Sequence, residues 1–183
     1  DFHTAVTRPP AVYRGNPFQI EVGLAYGGGL PADELAQVLR FANRVPLLYQ
    51  ASGCAISKSV LGTNWRSYGL QQSRGAPPTG PLVVFVHMAS VWVPFTSESK
   101  EAVAGYPEIV REVRLALQEA GRQLQRHVRR QVREKEAWKK QSYIQKYIPH
   151  IGDALQEILA LEDPERVEIV ETLTDTLERS RKV

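Results

Sequence analysis

Ile20, Val22 and Leu24 alternate with Gln19, Glu21 and Gly23, the period of two expected of a strand with one covered face. A strand is therefore predicted over residues 19–26, closed by Gly27, Gly28 and Gly29. Residues 82–90 are apolar and β-branched almost without interruption, which places them centrally in a sheet. Residues 45–49 form a short apolar run of strand length, and Pro94 assigns residues 92–95 to a strand end or edge. Two short helices are predicted between these strands. In one, Asp33 caps Leu35, Val38, Leu39 and Ala42, and Asn43 and Pro46 end it. In the other, residues 52–61 align Ala55, Ile56 and Val60, with Gly62 as the stop. Residues 1–16, holding Pro9, Pro10 and Gly15, show no sustained period and read as a lead-in. Residues 74–81, rich in Gly and Pro, read as a loop.

From Pro107 the pattern changes. Apart from Gly121, neither Gly nor Pro occurs for about 40 residues, and Pro107 suits a helix start. Val110, Val113, Leu117, Ala120, Leu124 and His127 recur at steps of three and four, so this long helix packs its first half on a neighbour. After Val132 the apolar stripe stops, and a helix polar on every side bridges bodies or binds something. The whole rod would span roughly 60 Å at its fixed rise per residue. Pro149 is expected to end or bend it, ahead of two amphipathic helices over residues 151–161 and 167–177, the second with Pro164 after the Asp163 cap. The chain thus divides into a lead-in (1–16), an α/β body (17–106), a stalk helix (107–148) and a helical tail (149–183).

Charge sharpens this division. Of the 183 residues, 23 are Lys or Arg and 20 Asp or Glu, close to balance overall. Residues 1–110 hold eight basic and seven acidic side chains, residues 111–146 eleven and four, and residues 147–183 four and nine. The net values are +1, +7 and −5, so a basic rod precedes an acidic tail, and the rod favours an acidic partner. One cysteine rules out a disulfide framework within the chain and suits an intracellular protein. No apolar stretch approaches the 20 or so residues of a membrane helix, so no membrane partner is expected. With Asp1 rather than Met in first place, the chain is expected to be a piece of something longer.

The candidates for chemistry are few. His3, His87, His127 and His150 lack metal-ligand spacing, so no metal site is expected. His87 reads as a satisfied sheet histidine and Cys54 as inert packing. Gly27, Gly28 and Gly29 fit neither a phosphate loop nor a dinucleotide fingerprint, and no nucleophile has a plausible base. In the run Phe95-Thr96-Ser97-Glu98-Ser99-Lys100-Glu101-Ala102, Lys100 sits on a polar loop after the central strands. It is either a donor suited to a terminal phosphate or one residue of a solvated capping loop. Trp65-Arg66-Ser67-Tyr68 likewise has two readings. Two aromatics around a cation can grip a nucleic-acid surface, or Trp and Tyr pack beneath a loop that leaves Arg exposed.

Three stretches carry a resemblance. Asn16-Pro17-Phe18-Gln19-Ile20-Glu21-Val22, the run Arg40-Phe41-Ala42-Asn43-Arg44-Val45-Pro46-Leu47-Leu48-Tyr49, and Pro94 through Ala104 together resemble the transducer domain of the B subunit of topoisomerase VI. The likeness runs from about Thr4 to Ile148. It implies an α+β fold: a four-stranded sheet with helices on one face, then a long C-terminal stalk helix and a small helical tail. It also implies a place in a type IIB topoisomerase, an A2B2 assembly in which a GHKL module binds ATP with Mg2+ and the A subunits cut duplex DNA. In that family a switch lysine reaches the γ-phosphate, and Lys100 stands at its place. A Trp-Lys-x-Tyr motif contacts DNA there, and Trp65, Arg66 and Tyr68 match it with Arg in place of Lys, which alters donor geometry while keeping the charge.

The implied partners are the A subunit, a second B subunit and duplex DNA, in a cytoplasmic, nucleoid-associated setting. No nucleotide-binding or DNA-cleaving motif can be placed in these residues. The chain alone is therefore not expected to be an enzyme, to hold ATP or to cut DNA. A freestanding basic nucleic-acid-binding module is the rival reading. A small phosphate-transferring enzyme is a weaker third, opposed by the missing phosphate loop.

Overall fold

The computed structural model describes residues 1–179; the end of the predicted acidic tail, with Arg181 and Lys182, lies outside the described residues. The chain forms two compact units, Asp1–Arg129 and Arg130–Val183.

The first unit is built on a mixed sheet. Its strands are β1 (Phe2–Thr7), β2 (Ala11–Tyr13), β3 (Asn16–Tyr26), β4 (Gln37–Ala42), β5 (Val45–Pro46) and β8 (Leu82–Ser90), with a separate ribbon of β6 (Gln71–Gln72) and β7 (Pro78–Thr79). The order is β1-β3-β8-β4-β5, and β2 also pairs with β3. Four of these strands are long; β2 and β5 add short pieces to the implied four. β8 lies at the centre, antiparallel to β3 with Val22 opposite Val86, and parallel to β4 with Arg40 opposite Val86.

Alternation decides which face is covered. Phe18, Ile20, Val22 and Leu24 of β3, and Leu82, Val84, Val86 and Met88 of β8, are buried in one core. They meet α1 (Ala55–Gly62) and the first turns of α2 (Pro107–Leu159), whose Ile109, Val113, Leu117, Ala120 and Leu124 are likewise buried. Ile109 takes the place expected for Val110. Half-buried His127 ends the stripe, stacking on Phe2 with ring centroids 5.0 Å apart. The expected boundary at residue 107 thus falls inside the core, because residues 107–129 complete it.

Two expectations are corrected. Residues 35–42 are not a helix: Leu35 makes an isolated bridge to Thr79 and residues 37–42 are the strand β4. Spacings of three and four look helical, but β8 supplies a ladder that a short helix would lack, and Asn43 and Arg44 turn the chain with φ of 46° and 70°, the left-handed pair of a tight hairpin. Nor are residues 1–16 a mere lead-in. β1 and β2 run along the same edge of β3, and Pro9 and Pro10 mark the break between them, where missing N–H donors do least harm.

The second unit pairs the end of α2 with α3 (Asp163–Arg179). Pro149 sits inside α2 rather than ending it. Gly152 lies against Val170, and Asp153 pairs with Arg166 at 2.6 Å. The turn between the helices uses Ala160 at φ 53° and a bond from Leu161 N–H to the Gln156 carbonyl, a helix-ending geometry that ordinarily favours glycine. Tyr143 and Tyr147 join hydroxyls at 2.9 Å, and that bond, with slight desolvation, raises the Tyr147 pKa above the usual phenol value. Among the described residues no helix is long and apolar enough to cross a membrane.

Candidate functional site

Lys100 lies on the loop that follows β8. The base of this loop is fixed: Phe95 bridges Val103, Thr96 N–H donates to the Ala102 carbonyl at 2.9 Å and Ala104 N–H to the Pro94 carbonyl at 2.7 Å. Ala102 and Val103 are fully buried, whereas residues 96–100 are all exposed. At the tip Lys100 takes a φ of 56°, a backbone state that costs a side-chain-bearing residue roughly 1–2 kcal/mol. Its N–H donates to the Ser97 carbonyl, and the Ser97 and Ser99 hydroxyls lie 2.7 Å apart. The ammonium enters no ion pair among the described residues. The result is a long, flexible cation on a firmly seated loop, suited to an anion from outside.

The second candidate is the 3-10 turn Trp65–Tyr68, and here an expectation is corrected. Trp65 is fully buried and its indole N–H donates to the Val60 carbonyl at 2.9 Å, so its ring cannot stack on a base in this conformation. Trp65 and Tyr68 pack together beneath the turn, and Arg66 alone of the three is exposed. A large apolar ring gains more from the core than from solvent. Arg66 is held by the Gln72 carbonyl, while the Gln72 side chain accepts from Trp65 N–H and donates to the Leu61 and Ala76 carbonyls.

The turn is docked on α2. The Tyr68 ring occupies the space beside Gly121, where an added Cβ would stand 2.5 Å from the ring. Gln125 donates to the Ser67 carbonyl, and Gly69 lies against Val128. Next to this flank, Arg111, Arg114, Arg122, Arg126 and Arg129 are all exposed. At 100° per residue they share one face of the helix, opposite buried Val113, Ala120 and Leu124. Arg66 is the exposed cation of the turn that is docked on this same helix. The row is visible in the sequence as charge; that the turn lies against it is signalled only by Gly121, a helix breaker kept within a helix.

The other singled-out residues do not join either site. His87 lies on the uncovered face of the sheet, 2.8 Å from a Glu21 oxygen, and its other ring nitrogen accepts from Arg44 N–H. Cys54 is buried, yet its Sγ accepts from Val103 N–H at 3.5 Å, so it is part of the seat of the Lys100 loop rather than packing alone. No group of three or more His, Cys, Asp or Glu side chains gathers among the described residues.

The family described as topoisomerase VI B subunit, transducer, matches residues 1–140. The chain is 50% identical over 165 residues to the B subunit of type 2 DNA topoisomerase 6 from Methanococcoides burtonii, covering 90% of this chain and 26% of that protein. Against the proteins of the same name from Archaeoglobus fulgidus and Methanosarcina acetivorans it is 48% and 45% identical over all 183 residues, or 30% of each relative. It therefore spans less than a third of the curated relatives it matches. Among solved structures, the B-subunit of DNA gyrase from Myxococcus xanthus aligns with 63% of the chain and 32% of its own, at 20% identity and a TM-score of 0.40. The chain belongs to the transducer family of the topoisomerase VI B subunit.

Proposed function

We propose that this chain is the transducer segment of the ATP-binding subunit of a type IIB topoisomerase, relaying nucleotide state to a DNA-cleaving A subunit in an A2B2 assembly. The observation that carries the reading is the presentation of Lys100: an exposed cation, in no ion pair among the described residues, at the tip of a loop whose base is buried and hydrogen-bonded. The residues here fit one end of a nucleotide only. Lys100 can meet a terminal phosphate, while base, ribose and Mg2+ would be held by a separate module of the complete subunit. Nucleotide binding supplies the anion and hydrolysis takes it away, so the state with the phosphate in place gains a charge-assisted contact the other lacks.

Arg66 and the arginine row on α2 would lie along duplex DNA, drawn to its phosphates and weakened by salt. Trp65 supports Arg66 from beneath and does not touch the bases. In the second unit the exposed Tyr143, Tyr147, Ile151 and Ile158 line one stripe of the helix, and the A subunit is the partner that would cover it. Such a protein acts where the chromosome is, in the nucleoid. Family membership lends nothing to the rival reading of a freestanding module.

The test is Lys100→Ala in the complete enzyme. ATP-dependent relaxation of supercoiled DNA should fall about tenfold or more, the cost of one charge-assisted hydrogen bond, with DNA affinity unchanged. Unaltered coupling would reject the assignment.

A further inference from the structure

We infer that Arg40 is a positioning residue for the Lys100 loop. Arg40 lies on β4, facing the core beside Val86, and is 6% exposed. No carboxylate pairs with it among the described residues, and its Nη1 has no hydrogen-bond partner. A buried cation left in this condition is costly, and an apolar side chain of similar size would suit the core better. What the side chain offers in place of an ion pair is the pair of carbonyls it holds.

Its Nη2 donates to two carbonyls, of Leu47 at 2.7 Å and of Tyr49 at 3.0 Å, while Leu47 N–H donates back to the Arg40 carbonyl at 2.8 Å. The clamped segment is anchored by buried Leu47, with Leu48 and Tyr49 exposed on its outside, so beyond Leu47 its backbone is held by the Arg40 bond to the Tyr49 carbonyl. It leads within a few residues, through Gln50 at φ 51° and the 3-10 turn Ala51–Gly53, to Cys54 and Ala55. There Cys54 Sγ accepts from Val103 N–H and Ala55 N–H donates to the Val103 carbonyl at 2.8 Å. Val103 is the residue that closes the Lys100 loop against Phe95. One guanidinium nitrogen thus ties β4 to the backbone that leads to the seat of the loop, and a lysine in its place would carry its ammonium one bond short of the Nη2 that reaches both carbonyls.

The mechanical link stands by itself; its consequence for nucleotide sensing rests on the reading of Lys100 proposed above. Hydrogen exchange on the complete subunit separates the two. In Arg40→Met, amides of residues 47–55 and 94–104 should exchange at least tenfold faster, while those of β3 and the body of β8 keep their rates. Cys54→Ala enters the same path farther on, and should loosen residues 94–104 without touching the Arg40 clamp. No change at residues 94–104 in either variant, or an equal rise throughout the sheet, overturns the inference.

Coupling of hydrolysis to strand passage supplies the second readout. Arg40→Met combined with Lys100→Ala should lose no more than Lys100→Ala alone, since both act through one group, and Arg40→Lys should restore only part of the loss. Multiplying losses would place Arg40 outside the loop's function and overturn its role. If Lys100→Ala leaves coupling intact while exchange still rises at residues 94–104, the phosphate-sensing reading fails and the link from Arg40 stands.

Discussion

The two ends of α2 are the same kind of helix in opposite circumstances. Up to Val128 it turns Ile109, Val113, Leu117, Ala120 and Leu124 into a core shared with a six-stranded sheet, and all five are fully buried. In the second unit, Trp138, Tyr143, Ile144, Tyr147, Ile151 and Ile158 are all more than two-fifths exposed, and α3 contains no buried residue. A sheet offers a broad apolar face against which a helix can bury a full stripe, whereas one companion helix covers only a narrow seam. The first unit is thus stabilised from within. The second displays apolar surface, as an interaction element does.

The sharpest way to break this comparison is to remove the same kind of side chain from both ends of α2. Leu124→Ala should cost about 3 kcal/mol by creating a core cavity, seen as faster exchange of β3 and β8 amides. Ile144→Ala, 47% exposed, should cost less than about 0.5 kcal/mol. Equal losses would erase the distinction. A smaller effect is expected at Gly121. Alanine there is favoured by helix propensity by about 1 kcal/mol, but its Cβ meets the Tyr68 ring, and such overpacking costs about 1–3 kcal/mol. Gly121→Ala should therefore destabilise the first unit and lift the turn, with a gain in Tyr68 and Arg66 accessibility to chemical labelling; a stabilised protein would show that the turn is not docked as described. Least of all, Ala160→Gly should stabilise the α2–α3 turn by about 1 kcal/mol, because Ala160 holds a left-handed φ that glycine adopts freely. Exchange should slow in the second unit alone.

How far the fold and the sites are legible in the sequence depends on where the deciding partner lies. β3, β8 and the start of α2 follow from local period, because alternation and steps of three and four are imposed by the backbone itself. β4 escapes such a reading because Leu35, Val38, Leu39 and Ala42 satisfy the helical period by accident, and what makes this stretch a strand is β8, paired through Val38 opposite Val84 far along the chain. β1 escapes it because two prolines hide a continuous edge. Lys100 stands out only through the resemblance of its surrounding motif; composition alone leaves it on a capping loop. For Trp65, Arg66 and Tyr68, the alternative in which both aromatics pack inward and the cation faces out is the one the fold adopts.

By itself, then, the sequence determined the periodic elements, the uneven charge and the family, since each is written in neighbouring residues or in whole motifs. Only the tertiary structure decided which faces of those elements are covered. It set Trp65 inside and Arg66 outside, seated the Lys100 loop on Cys54 and Ala55, and left Arg40 buried with no counter-charge among the described residues. The reason is that burial and hydrogen-bond partnership are properties of pairs distant in the chain, and no local pattern records the partner.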